Sequence, residues 1–107
     1  MRKKESTNFE NEQTLNNYCN ANKNLSLISG RWKLSILFSL FEKDMLYHEF
    51  KQVIPNISDQ ILSKQLNELQ KDKIITKYKT KTSSTYQLTS EGRNIQKLLI
   101  ALANFKL

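Results

Sequence analysis

The sequence has few of the residues on which small enzymes and small secreted domains depend. Its 107 residues include one cysteine, one histidine, two glycines and one proline. A single cysteine cannot form a disulfide within the chain, which argues against a secreted domain and favours the reducing cytoplasm. The sequence also lacks metal-ligand spacing, a glycine-rich phosphate loop and a nucleophile elbow. We therefore expect no enzyme activity, no metal and no cofactor.

Long hydrophobic runs are missing as well. The first thirty residues hold no apolar run of signal-peptide length, and no later stretch approaches the ~18 apolar residues of a membrane span. What the chain does have is positive charge, since 17 lysines and arginines against 10 acidic residues give a net charge of +7. This balance predicts an acidic partner, for which nucleic acid comes first and an anionic membrane surface second.

Length and composition predict one domain preceded by an arm. A chain of 107 residues can bury one modest hydrophobic core. Residues 1–14 are basic and polar, so we expect a flexible arm, or at most a helical one. Residues 15–107 form the domain, which is predicted to be α+β and mostly helical. The first predicted elements are helices over about 19–29 and 31–42 and a very short strand at 45–47.

The centre of the chain has the outline of a helix-turn-helix. A brief helix around Phe50 must stop before Pro55, because proline disfavours helical backbone in the residue that precedes it. Ser58 then stands at an N-cap position, and a helix is predicted to run from there to about Lys73. Two helices joined by a tight turn are typical of DNA-binding domains.

The second helix of this pair has one apolar face and one polar face. At ~100° per residue its isoleucine and leucines fall on one arc, and polar side chains fall on the opposite arc. Amides, hydroxyls and lysines are the groups that hydrogen-bond base edges and phosphates in duplex DNA. An ordinary solvated helix face explains the same pattern when this helix is taken alone. The candidate DNA-binding residues here are Ser58, Gln60, Ser63, Lys64, Asn67 and Lys71.

Residues 74–82 and 85–89 predict a β-hairpin, because they are rich in threonine, tyrosine and isoleucine and a serine pair separates them. Three lysines recur at every second position of the first strand and so share one of its faces. Such a row can follow a phosphate backbone, and it equally protects an edge strand from aggregation. Two cations that begin the helix over 31–42 are explained as well by solubility as by phosphate contact. The candidates are Lys77, Lys79 and Lys81 on the hairpin, and Arg31 and Lys33 on the helix.

The last helix, predicted from Ser90 towards Leu107, has more apolar positions than one face can hold. A chain of this length cannot cover all of them by itself, so a homodimer seam shared with the first helix is the economical explanation. Two-fold symmetry then pairs two reading helices ~34–36 Å apart. A membrane surface is disfavoured, because the apolar arc carries no tryptophan. The candidate interface residues are Leu98, Leu99, Leu102 and Phe105.

Cys19 has two interpretations. It is a small buried hydrophobe, which is the commonest fate of a free cysteine, or it is a reactive thiol. It stands near the predicted start of the first helix with Lys23 one turn further on, and both would stabilise a thiolate. Cys19 is therefore a candidate sensor of oxidants or electrophiles. His48 is expected to begin or cap the short third helix rather than to bind a ligand.

The order of these elements and several short stretches resemble the HxlR-type winged helix-turn-helix transcription regulators of bacteria, which are related to the MarR group. The resemblance covers about residues 19–105. The matching features are Cys19 with Trp32 thirteen residues later, 27–33 (LISGRWK), Phe50, 54–58 (IPNIS), 62–69 (LSKQLNEL) and 86–92 (YQLTSEG).

The resemblance implies a homodimer on pseudo-palindromic promoter DNA, with the helix that begins at Ser58 in the major groove and the hairpin as the wing. In the family the first and last helices build the dimer. Several members sense quinones, aldehydes, hypochlorite or disulfide stress through a cysteine at the position of Cys19. This chain departs from the family at Asn20, where proline is common, at Asp59, where glutamine is common, and in a wing without prolines. No second cysteine follows, so an intersubunit disulfide could only join Cys19 to its own copy.

Two functions from different classes therefore compete. The first is a cytoplasmic, homodimeric, sequence-specific repressor that binds double-stranded DNA and responds to oxidative or electrophile stress through Cys19. The second is a winged-helix protein interaction module without specific DNA binding, which docks on an acidic protein. Steep salt-dependent binding to duplex DNA with a sequence preference distinguishes the two.

Overall fold

The fold comes from a computed structural model, which describes the backbone of residues 2–107 and the side chains of residues 11–107. The predicted α+β, mostly helical winged-helix architecture is confirmed. Within these bounds no helix is both long enough and apolar enough to cross a bilayer. The elements in chain order are α1 (Arg2–Ile28), α2 (Arg31–Glu42), β1 (Met45–Leu46), α3 (Tyr47–Val53), α4 (Asp59–Lys71), β2 (Ile75–Lys79), β3 (Ser84–Leu88) and α5 (Ser90–Asn104).

The first helix differs most from the sequence expectation. It was predicted over about 19–29, whereas α1 begins at Arg2 and ends at Ile28. The added turns contain lysine, glutamate and glutamine, which propagate a helix well without forming an apolar stripe. Cys19 is therefore an exposed residue inside α1, far from the positive end of the helix dipole. Of the two expectations for residues 1–14, the helical arm agrees with a backbone that is helical from Arg2 onwards, whereas the flexibility of this segment stays a prediction.

The predicted helix-turn-helix is confirmed in its local detail. α3 ends at Val53, ahead of the proline, and Asn56 in the turn has a left-handed φ of 66°, which asparagine tolerates better than most residues. The Ser58 side chain accepts a hydrogen bond from the Ile61 amide at 3.1 Å, as expected of an N-cap. α4 ends two residues earlier than predicted, at Lys71, and a left-handed residue soon follows it.

A small antiparallel sheet holds the wing against the domain. β2 pairs with β3 as predicted, and β1 adds a third strand on the other side of β3. The hairpin turn spans 80–83 rather than the predicted serine pair, because the Thr80 amide donates to the Ser83 carbonyl at 2.8 Å. Lys81 therefore lies in this turn and does not continue the row of strand lysines, so that part of the prediction is wrong.

The core lies between α2, α4 and the sheet, with α3 and α5 closing its sides. The apolar arcs predicted on α2 and α4 face inwards. Leu99 of α5 is only 2% exposed and belongs to this core, whereas it was predicted at a dimer seam. Leu99 is thus part of the core within one protomer, because α5 packs on α2 and β3. The most deeply buried side chains are Ile36, Leu37, Leu40, Phe50, Leu62, Leu66, Leu69 and Ile75.

Candidate nucleic-acid interface

α4 has a polar outer side, and its orientation is fixed because the opposite side of the helix is packed in the core. Three leucines on that opposite side, Leu62, Leu66 and Leu69, are almost completely buried, and the Ser58 cap fixes the first turn. Buried side chains and a capped terminus prevent the helix from rotating or fraying. We call the outward side chains the reading surface; they are all exposed, and they are Gln60, Ser63, Lys64, Asn67 and Lys71.

A polar cluster joins α3 to the first turn of α4. The Lys51 ammonium lies 2.7 Å from Oδ1 of Asp59. The Tyr47 hydroxyl lies 3.3 Å from the same oxygen, 3.2 Å from the Asp59 carbonyl oxygen and 3.1 Å from Oγ of Ser63. The hydrogen bond from Lys51, and then its charge, lower the pKa of Asp59. Asp59 is therefore a carboxylate at neutral pH, and one end of the reading surface is fixed by neighbours on another helix.

A second ion pair borders the reading surface on its other side. The Lys33 ammonium of α2 lies 2.9 Å from Oε1 of Glu68, and the Lys33 side chain is only 13% exposed. This hydrogen bond, followed by the lysine's charge, lowers the pKa of Glu68. The two acidic residues at the margins of the reading surface are thus each neutralised by a lysine from an earlier helix. Lys64 and Lys71 remain exposed between them.

The wing carries three exposed lysines in different settings. Lys77 lies opposite Tyr86 in the sheet, with its ammonium 5.7 Å from the centre of that ring. Lys79 ends β2 opposite Ser84, and Lys81 lies in the turn. All three lysines face solvent, so the hairpin is a positively charged projection. A groove of about 390 Å³ separates its turn from the start of α3.

Arg31 is the first residue of α2. Its guanidinium stacks 4.5 Å from the centre of the Trp32 ring, which restrains an otherwise exposed side chain. His48 is the second residue of α3, close to the predicted helix start, and lines the groove beside the wing turn.

Tyr47 and Lys51 were not among the residues selected from the sequence. They stand four residues apart, which places them on one side of a helix of seven residues. A helix this short has no apolar periodicity that would identify its outward face. Their proximity to Asp59 depends on how α3 packs against α4, which sequence spacing does not reveal.

The end of α1 and the outer side of α5 form an apolar surface. Leu98, Leu102 and Phe105 are 56%, 62% and 66% exposed. A groove of about 290 Å³ runs between α1 and α5, and its walls include Leu25 and Leu102. Large exposed apolar patches on a small chain indicate a surface for another protein. The excess of apolar side chains predicted on the last helix is present, apart from the buried Leu99.

Cys19 is exposed on α1, with its thiol free. Lys23 lies four residues further along, on the same side of the helix. Tyr18 beside Cys19 is also exposed. The thiol is thus accessible to reagents in solution, and the interpretation of Cys19 as a small buried hydrophobe does not apply within one protomer.

Comparison with known proteins gives consistent matches. The family model described as HxlR-like helix-turn-helix matches residues 27–106. An uncharacterized HTH-type transcriptional regulator of Bacillus subtilis, YdzF, is 42% identical over 81 residues, which cover 70% of this chain and 72% of YdzF. The crystal structure of a MarR-family transcriptional regulator from Enterococcus faecalis has a TM-score of 0.76 at 28% identity, covering 80% of this chain and 81% of that one. The redox regulator HypR in its reduced form has a TM-score of 0.72 at 26% identity, covering 78% and 85%.

Proposed function

The chain belongs to the HxlR-like helix-turn-helix family, and from that premise we propose that it is a homodimeric repressor of bacterial promoters that responds to oxidants or electrophiles. It is a transcriptional regulator of the HxlR and MarR type and not an enzyme. A regulator of this type meets its DNA in the bacterial cytoplasm. The observation that carries the proposal is the capped, leucine-anchored α4 with its outward amides, hydroxyl and lysines.

DNA binding divides between the reading surface and the wing. Gln60, Ser63, Lys64 and Asn67 contact base edges in the major groove, because amides and lysines match the donor and acceptor pattern presented there. Ser58 and Lys71 lie at the two ends of α4, where the helix meets phosphates. The remaining phosphate contacts come from Lys77, Lys79 and Lys81 of the wing and from Arg31.

Lys33, a candidate phosphate contact from the sequence, has another role in this proposal. Its ammonium is held by Glu68 in a pair of which the lysine side is largely buried. If Lys33 moved to a phosphate, the carboxylate of Glu68 would lose its partner and would repel the negatively charged DNA. Lys33 therefore supports DNA binding by neutralising Glu68 rather than by direct contact.

Dimerisation uses the apolar surface of α1 and α5. Leu98, Leu102 and Phe105 are exposed in one protomer, and covering them with a second copy removes apolar area from water. A two-fold axis through this surface would give two copies of α4 and match a pseudo-palindromic operator with half-sites ~34–36 Å apart.

Cys19 is the proposed sensor. Its thiol is exposed on α1, a helix of the proposed dimer, so a modification there alters the relative position of the two copies of α4. HypR, one of the structural relatives, is by name a redox regulator. The reaction is alkylation of the thiol, or exchange with an oxidised small thiol to give a mixed disulfide.

A fluorescence-anisotropy titration tests these assignments. The full chain is titrated against the DNA upstream of its own gene and against random duplex, first reduced and then treated with a quinone, which alkylates thiols, or with a small disulfide, which exchanges with them. Tighter binding of the upstream DNA, lost on treatment in the native chain and retained in Cys19→Ser, is the expected result. Specific binding that treatment leaves unchanged refutes the sensor. Equally weak binding to both duplexes refutes the repressor and leaves the protein interaction module.

A further inference from the structure

The hydrogen-bond cluster at the start of α4 sets the direction in which Ser63 can bond. The Tyr47 oxygen lies 3.1 Å from Oγ of Ser63 and 3.2–3.3 Å from two oxygens of Asp59. A carbonyl oxygen and an ionised carboxylate accept hydrogen bonds and cannot donate them. If Tyr47 donated its single phenolic proton to Ser63, its oxygen would face these two acceptor oxygens with no proton between them, and the three oxygens would repel one another. The proton therefore goes to Asp59. The Tyr47 oxygen is left as an acceptor, and only the hydroxyl of Ser63 can donate to it.

This direction matters because Ser63 belongs to the reading surface. A free serine hydroxyl either donates or accepts, so by itself it distinguishes bases poorly. With its proton directed to Tyr47, Ser63 presents only lone pairs to a base. In the major groove adenine and cytosine offer amino donors, whereas guanine and thymine offer acceptor oxygens at the corresponding positions.

We propose that Tyr47, which does not itself belong to the reading surface, makes Ser63 an obligate acceptor, so that α4 selects a base with an amino group, adenine or cytosine, at the position that Ser63 meets. This inference rests on the proposed function and assigns part of its sequence preference. Tyr47 acts as a positioning residue, and Ser63 makes the contact.

Asp59 strengthens the same preference. Oδ1 is occupied by Lys51 at 2.7 Å and by Tyr47, and the side chain is 74% exposed, so Oδ2 is left towards solvent at this corner. A carboxylate accepts from amino groups and is repelled by guanine and thymine oxygens. Lys51 balances its charge, which limits repulsion of the nearby phosphates. Two acceptors thus lie side by side at the start of α4.

The chain offers variants that separate this role from packing. Tyr47→Phe keeps the ring that packs against the core and removes only the hydroxyl. Ser63→Ala removes the contact itself from an exposed site, so its folding is not at issue. Tyr78→Phe is the matched control, because it removes another tyrosine hydroxyl, one bonded to Oδ2 of Asp44 at 3.3 Å on the wing side.

The experiment is a selection of binding sites by the full chain from a duplex library randomised across both half-sites. The wild type and Tyr78→Phe should share a consensus with adenine or cytosine at one position of each half-site. In Tyr47→Phe and in Ser63→Ala, the preference for adenine or cytosine at that position should fall about two- to tenfold, which is the scale of one hydrogen bond. The preferences at all other positions should not change. Unchanged preference in Tyr47→Phe, or equal weakening on all sequences, overturns the proposal.

A base analogue gives a second readout. Replacing the selected adenine by purine, or the selected cytosine by its analogue without the 4-amino group, should weaken wild-type binding by about two- to tenfold and leave Ser63→Ala, which has no hydroxyl to accept from that group, unaffected. Equal weakening in the wild type and Ser63→Ala overturns the contact between Ser63 and the amino group. A wild type that enriches no sequence refutes the proposed function, whereas a clear consensus without such a position refutes only this inference.

Discussion

Replacing Lys79 by alanine should weaken binding to every DNA sequence by the same factor. Lys79 is the exposed last residue of β2, opposite Ser84, at the end of the strand that leads into the wing turn. In the proposed function this lysine meets the phosphate backbone, which is the same for every sequence. Its removal therefore lowers affinity without changing which sequence is preferred.

The magnitude follows from counterion release. Each neutralised phosphate adds ~0.9 to the slope of log affinity against log salt concentration, so losing one contact from each subunit of the proposed dimer lowers the slope by ~1.8. Between ~50 and ~200 mM salt, a fourfold change, the wild type should lose about 12-fold more affinity than the variant. The difference is large enough to be measured by anisotropy.

The assay is a set of anisotropy titrations over that salt range, against an operator duplex and a random duplex. Lys97→Ala removes an equal charge from exposed α5, outside the reading surface and the wing, and should leave the slope unchanged. Asn67→Ala should lower the ratio of operator to random affinity, because it removes a reading amide. If Lys79→Ala changes that ratio, or alters the slope no more than Lys97→Ala, the assignment of the wing to phosphate contact is wrong.

Three further predictions concern stability and assembly. Gly92→Ala should lower the urea midpoint, since its Cβ would clash with the backbone oxygen of Ile74 at a cost of about 1–3 kcal/mol; an unchanged midpoint contradicts this. Leu102→Glu should convert dimer to monomer in sedimentation, because it puts charge on the exposed apolar surface; a persistent dimer refutes that seam. The pKa of Asp59 in the folded protein lies below its ordinary 3.8, because Lys51 stabilises the carboxylate. The wild type should therefore have a higher free energy of unfolding than Lys51→Gln above that pH, and this difference should vanish as the pH falls through the lowered pKa. A difference that does not depend on pH excludes the ion pair.

Local patterns were sufficient for the helix-turn-helix. The serine cap and the leucine spacing of α4 concern residues within one or two turns of each other, so sequence alone located the cap and the buried face. The start of α1 was missed for the complementary reason. Its first turns are exposed and polar, and they carry helix propensity without the apolar periodicity on which the prediction depended.

By itself the sequence determined the elements, their order, the polar face of α4 and the excess of apolar side chains on α5. Only the tertiary structure decided what those side chains meet. Lys33 and Lys51 form ion pairs with carboxylates on α4. Leu99 is buried in the core, and the Tyr47 hydroxyl contacts Ser63. Periodicity reports the direction of a side chain relative to its own helix axis. Which partner lies there depends on how the helices cross, and packing of the whole core sets that geometry.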